Sequence, residues 1–168
     1  YRDIDNVLKI LLGYNNFGKI VIFTNGTIVP REKALSLSTD PRVNYFISDY
    51  GEELSKRSRK LVAALEDKKI NYILQRITTW QDCAKISRKN RSSDKTFEVF
   101  SNCCVNNVLT LLDGKVYGCP FSAHAENLKA IPEFKSDSID LDMTDRKMFR
   151  EKMVQLLSGK AYYGACLY

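Results

Sequence analysis

Three short apolar runs set the frame for the first half of the chain. KIVIFTNG (19–26), RVNYFISDY (42–50) and INYILQ (70–75) string β-branched and aromatic residues together instead of alternating them with polar ones. Continuity of this kind marks strands buried on both faces, the pattern of a parallel sheet. The stretches between them have helical period. DIDNVLKILLGY spaces Ile4, Val7, Leu8 and Leu11 along one face. PREKALSLS offers a short helix with Pro30 near its start, where proline is tolerated. ELSKRSRKLVAALEDKK places Leu54, Leu61, Val62 and Leu65 on one side. Helix and strand thus alternate three times, which predicts parallel βα units joined by right-handed crossovers and an α/β fold.

That rhythm stops near Thr78. ITTWQDCAKISRKNRSSDKTF is polar, and we assign 79–94 as a linker between residues 1–78 and 95–168. A cysteine-bearing stretch follows, SNCCVNNVLTLLDGKVYGCP (101–120). VLTLL and KVYG flank Asp113-Gly114, a two-residue hairpin signal. Beyond Pro120 the chain reads as irregular to about Asp142. DRKMFREKMVQLLSG is a last helix with Gly159 as its C-cap, and KAYYGACLY carries Cys166 at the end.

The cysteines are the most specific chemistry. Nine residues separate Cys104 from Gly114 and four more separate Gly114 from Cys119, so the hairpin folds the two thiols toward each other. Neighbouring residues of a strand point to opposite faces. Only one of Cys103 and Cys104 is then expected to face the site, with Cys104 preferred and Cys103 as the alternative. Cys166 reaches back as a third thiol, and a fourth is expected just past Tyr168. Five cysteines and a single histidine, His124, exclude a two-Cys, two-His zinc finger and fit a disulfide framework poorly. Four thiolates suit zinc or an iron–sulfur cluster, and Cys119-Pro120 leans toward the latter. Cys83 reads as a small buried hydrophobe, His124 as structural, and Trp80 as core packing.

Polar residues close two of the strands: Thr24-Asn25-Gly26-Thr27 and Ser48-Asp49-Tyr50. Ligands of parallel α/β folds bind beyond the carboxyl ends of the strands, and these groups suit a polar ligand. Equally, Asn25-Gly26 reads as a turn and Asp49 as a helix cap. Net charge is +6, with basic runs KRSRK (56–60) and KISRKNR (85–91). Few aromatics interleave with them, so a solvated helix face and a polar linker are preferred to a nucleic-acid surface. No apolar run approaches the ~20 residues of a membrane span. The amphipathic, charged start is not a secretory signal, so a cytoplasmic protein is expected. Because the sequence opens on Tyr1 inside a helical pattern, we expect a fragment of a longer chain.

Taken in order, these motifs resemble a known family. IVIFTNGTIVP resembles the fourth strand of the radical S-adenosylmethionine (SAM) barrel, FISDY resembles the fifth, and C-x9-G-x4-C with a later Cys resembles the SPASM or twitch extension. The resemblance implies a partial (βα)6 radical SAM barrel in 1–78 and a small cysteine-ligated domain with a β-hairpin in 95–168. It implies an oxidoreductase that reductively cleaves SAM to a 5′-deoxyadenosyl radical for hydrogen abstraction. Thr24, Asn25, Gly26, Ser48 and Asp49 would contact SAM. Cys104, Cys119 and Cys166 would ligate an auxiliary 4Fe–4S cluster. The catalytic cluster's CxxxCxxC loop is absent from this sequence and is expected upstream, so the chain alone should not cleave SAM. Expected partners are an electron donor such as ferredoxin or flavodoxin and a peptide, protein or small-molecule substrate. A fragment without the earlier strands is also expected to be prone to aggregation. A zinc-stapled binding module and a basic nucleic-acid-binding protein are the alternatives.

Overall fold

The computed structural model describes residues 3–16, 18–79, 86–158 and 161–168, apart from the side chains of 53–55 and 57. The expectations for Trp80, Cys83, Gly159 and the Leu54 side chain lie outside the described residues. The chain divides into two compact units, Tyr1–Gln81 and Asp82–Tyr168, and the division falls inside the polar 79–94 stretch.

In the first unit the three apolar runs form the three strands of one sheet. Its elements are α1 (Ile4–Leu12), β1 (Ile20–Thr24), α2 (Glu32–Leu37), β2 (Val43–Asp49), α3 (Glu52–Asp67) and β3 (Asn71–Arg76). The order is β1-β2-β3 and both pairings are parallel. Ile20 faces Val43 and Thr24 faces Ile47, while Asn44 faces Asn71 and Asp49 faces Arg76. Leu8, Leu35, Leu61 and Leu65 gather over Val43, Tyr45 and Ile47, so all three helices cover the same face. Strands added in one direction with crossovers of one hand produce this one-sided cover, whereas a doubly wound sheet reverses direction and has helices on both faces. Ile4 and Leu12 join the α1 stripe, but Val7 is exposed.

The expectation that the strands are buried on both faces is not met. Alternation turns Val21, Phe23, Phe46 and Ile73 to the face the helices leave open. Phe23 is 73% exposed and Ile73 61%. Phe23 and Phe46 stack at 5.2 Å between ring centroids on this face. An apolar run cannot report how many of its faces have a neighbour, because composition sets the tendency to be buried and topology sets what is available to cover it.

In the second unit the elements are α4 (Ser93–Ser101), β4 (Thr110–Leu112), β5 (Lys115–Tyr117), α5 (Pro120–Asn127), β6 (Ser138–Asp140), α6 (Arg146–Ser158) and a 3-10 helix at Gly164–Leu167. The hairpin is as read: Leu112 faces Lys115, and Asp113 and Gly114 both have positive φ, 47° and 76°. Positive φ at both central residues gives the turn whose twist matches the strands.

Three features differ from the sequence reading. The cysteine pair follows a helix instead of lying in a strand. Ser92 caps α4 by accepting the Lys95 N–H at 3.3 Å, and Cys103 and Cys104 sit in the turn that ends it. The stretch after Pro120 is not irregular. Pro120 opens α5 at its first turn, with Ser122, Ala123 and Ala125 buried. Strand β6 then pairs antiparallel with β5, Ile139 facing Val116. Both elements are short, and their buried residues are too small or too few to impose a visible period.

Candidate functional site

The site is built where three separate segments of the second unit meet. Cys103 comes from the turn after α4. Cys119 comes from the end of the hairpin, where it is also the residue before α5. Cys166 comes from the terminal 3-10 helix. Cys119 belongs to an apolar core with Ile139, Leu156 and Tyr163, and Cys166 packs against that core.

The thiols sense one another. Burial pushes the Cys119 thiol above its ordinary value, and Cys103 and Asp137 add to the rise through their charge. The Phe121 and Ser122 amides at the start of α5 offset part of it, without closing a capping hydrogen bond to the side chain. Burial likewise pushes the Cys166 thiol up, with Cys119, Asp137 and Cys103 contributing electrostatically. Of the adjacent pair, therefore, Cys103 lies within electrostatic reach of the other two. Cys104, the preferred residue in the sequence reading, is exposed. The expectation that only one of the pair faces the site rested on strand alternation, and no strand runs through this pair.

A packed frame surrounds the thiols. Tyr163 donates its hydroxyl to the Leu156 carbonyl at 3.1 Å and meets Phe100 edge to face at 5.4 Å. Its ring lies directly on Gly118, where a Cβ would overlap it. Phe134 covers Gly164 in the same way. Arg91 donates to the Cys166 carbonyl at 2.9 Å, and the Lys89 N–H donates to the Leu167 carbonyl at 2.7 Å. Part of the stretch read as linker is thus pinned beside the cysteine-bearing end of the chain. Asp137 is fully buried and accepts the Gly164 and Ala165 N–H groups at 2.9 and 3.0 Å. Sequence reasoning missed Asp137, and one aspartate in SDSID gives no signal of its own.

Donor type suits a thiolate-bound metal. A tetrahedral zinc with Zn–S bonds of about 2.3 Å needs its sulfurs about 3.8 Å apart. Among the described residues no three His, Cys, Asp or Glu side chains gather closely enough to hold a metal ion. Cys103, Cys119 and Cys166 lie within electrostatic range of one another but do not gather as a metal-binding group. In donor type alone the three thiols fit zinc or an iron–sulfur cluster. His124 stands exposed on α5.

The strand-end residues occupy one edge of the parallel sheet, as read, but they divide between its faces. Ser48 pairs with Gln75 on the open face. Asp49 accepts the Gly51 N–H at 3.1 Å and pairs with Arg76 at 3.0 Å. The Gly51 bond, then the Arg76 bond, holds its carboxyl below the ordinary range. Asn25 Oδ1 accepts from both the N–H and the hydroxyl of Thr27, at 3.2 and 2.9 Å. Thr24 Oγ1 accepts the Gly26 N–H at 3.1 Å. Gly26 has φ 71° and lies against Ser58 and Ile47. A cavity of about 330 Å³ is lined by Thr24, Asn25 and Thr27 together with Tyr45 and Leu61, so it opens toward the helices; Ser48 and Asp49 are not part of it. The turn and cap roles of Asn25 and Asp49 are therefore visible in the hydrogen bonds.

Lys56, Arg59 and Lys60 are exposed along α3. Among the described residues no helix is long and apolar enough to cross a membrane. No protein-family model matches the chain, and no curated protein is detectably similar to it.

Proposed function

We propose that the second unit is an iron–sulfur-binding domain held by Cys103, Cys119 and Cys166, and that the chain is part of a radical SAM enzyme with an auxiliary 4Fe–4S cluster. The observation that carries the reading is that Cys119 and Cys166, from segments far apart in sequence, share one apolar core, with Cys103 within electrostatic range of both. A cysteine used only as a small hydrophobe needs no such company. Cys103 takes the place of Cys104 in this ligand set because it is half-buried and within electrostatic range of Cys119 and Cys166, whereas Cys104 is exposed.

When bound, an iron–sulfur cluster supplies one-electron chemistry. The residues of this chain do the rest. Tyr163, Ile139 and Leu156 shield the Cys119 sulfur from water. The Phe121 and Ser122 amides approach the Cys119 sulfur and favour its anionic form. Because burial raises the Cys119 and Cys166 thiols, metal uptake must displace protons from them. In the first unit, Asn25, Ser48 and Asp49 would face SAM across the carboxyl edge of a partial barrel, with Thr24 and Gly26 shaping the turn. The one-directional strand order and one-sided helices support that part of the reading, and the local hydrogen bonds of Thr24, Asn25 and Asp49 weigh against direct contact by those side chains. A peptide, protein or small-molecule substrate and a ferredoxin- or flavodoxin-type electron donor complete the proposal.

The test is a pair of variants on the full chain, purified without oxygen and loaded with ferrous iron and sulfide. Cys103→Ala should lose most of the bound iron, and Cys104→Ala should retain it. Iron lost equally from both variants, or a wild-type chain that takes up zinc and no iron, overturns the reading.

A further inference from the structure

The carboxylate of Asp137 ties together two of the segments that carry thiols. One oxygen, Oδ1, accepts the Gly164 N–H at 2.9 Å and the Ser136 hydroxyl at 3.1 Å. The other, Oδ2, accepts the Ala165 N–H at 3.0 Å and the Ser122 hydroxyl at 3.4 Å. Gly164 and Ala165 are the two residues before Cys166, at the start of its 3-10 helix. Ser122 is in the first turn of α5, three residues after Cys119. The backbone of Asp137 adds a third tie, because its carbonyl accepts the Gly118 N–H at 3.1 Å, one residue before Cys119. A carboxylate this deeply buried is retained only where donors surround it, since an ionised group without them is very costly to desolvate. Hydrogen bonds to a charged acceptor are also the stronger kind.

We propose that Asp137 is the positioning residue of the thiol site. Its carboxylate clamps the Cys166 turn to the Cys119 end of α5 and so sets the separation of those two sulfurs before any metal arrives. The purpose of the clamp rests on the iron–sulfur reading, but its geometry does not. The residues these bonds tie together flank Cys119 and Cys166 and do not include Cys103. The clamp thus acts on the Cys119–Cys166 pair, and the Cys103–Cys119 pair serves as the comparison.

The experiment uses the full chain, metal-free and reduced, treated with a short bifunctional thiol reagent. Bridged pairs are read by mass spectrometry of peptides. Wild type should give both Cys119–Cys166 and Cys103–Cys119 bridges. In Asp137→Asn one acceptor becomes an amide that turns its own donors toward backbone N–H groups. The Cys119–Cys166 bridge should fall by about tenfold, the scale of one lost charge-assisted hydrogen bond, and the Cys103–Cys119 bridge should hold. Ser122→Ala removes only the long 3.4 Å contact and should lower the same bridge by about twofold. The inference is overturned if Asp137→Asn folds and bridges like wild type, or if both bridges fall together, which would make Asp137 a support of the whole unit. Should Asp137→Asn fail to fold, an unchanged pattern in Ser122→Ala overturns it. Selective loss of the Cys119–Cys166 bridge in a chain that never takes up iron would uphold the clamp and end the iron–sulfur reading.

Discussion

Gly118 has no room for a side chain, because a Cβ there would overlap the Tyr163 ring and hydroxyl. Gly118→Ala should cost about 2–3 kcal/mol of stability in the second unit, the scale of overpacking against a ring that is held in place. Gly114→Ala is the comparison. Nothing lies within 4 Å of a Cβ at that turn, so its cost comes from φ 76° alone, about 1 kcal/mol. Chemical denaturation of the two variants checks the order, and equal losses would mean that Tyr163 yields. The titrating residues make a second prediction. Burial raises Tyr45, Tyr117 and Tyr163 above their ordinary 10.0, and Cys119 and Cys166 above 9.0. Each binds its proton more tightly folded than unfolded, so each adds stability below the ordinary value and loses it as pH climbs through the folded one. The denaturation midpoint should therefore fall progressively above about pH 9. At the acid end the sign reverses. The Arg42 side chain holds the half-buried Asp40 at about 2, so its contribution is present above 3.8 and fades only as pH falls toward the lower value. A midpoint that rises between pH 9 and 11 would contradict the burial of these thiols and phenols.

Elements were legible wherever a period ran long enough. The three parallel strands, α1, α3, α6 and the Asp113-Gly114 hairpin could all be read because each has a stripe, a continuous run or an obligatory turn pair. α5 and β6 could not be read. α5 buries Ser122, Ala123 and Ala125, which carry no amphipathic signature, and β6 is held by its pairing to β5. The thiol site was legible in its residue types and in Cys119 and Cys166, but the choice within the adjacent pair depended on α4 ending at Ser101. The sheet had a different blind spot, since its strands do not reveal which face is covered. Phe23→Lys on the open face should change stability by less than about 0.5 kcal/mol, as at other exposed positions. Ile47→Ala, fully buried beneath the helices, should cost about 2–5 kcal/mol. If Phe23→Lys costs as much as Ile47→Ala, the open face is covered in solution.

At the scale of the whole molecule, two units with separate cores carry two parts of one proposal. The first offers a parallel sheet with helices on one side and polar residues at its carboxyl edge. The second carries three thiols on a hairpin end, a helix end and a terminal turn, within electrostatic range of one another. Iron–sulfur binding is the claim on which the functional reading depends, and it belongs to the second unit alone. Mössbauer spectroscopy of the full chain, loaded anaerobically with ⁵⁷Fe and sulfide, tests it most directly. The account predicts the signal of a 4Fe–4S cluster that disappears in Cys119→Ala and persists in Cys104→Ala. A spectrum of isolated iron, or no cluster signal from a folded chain, would contradict it.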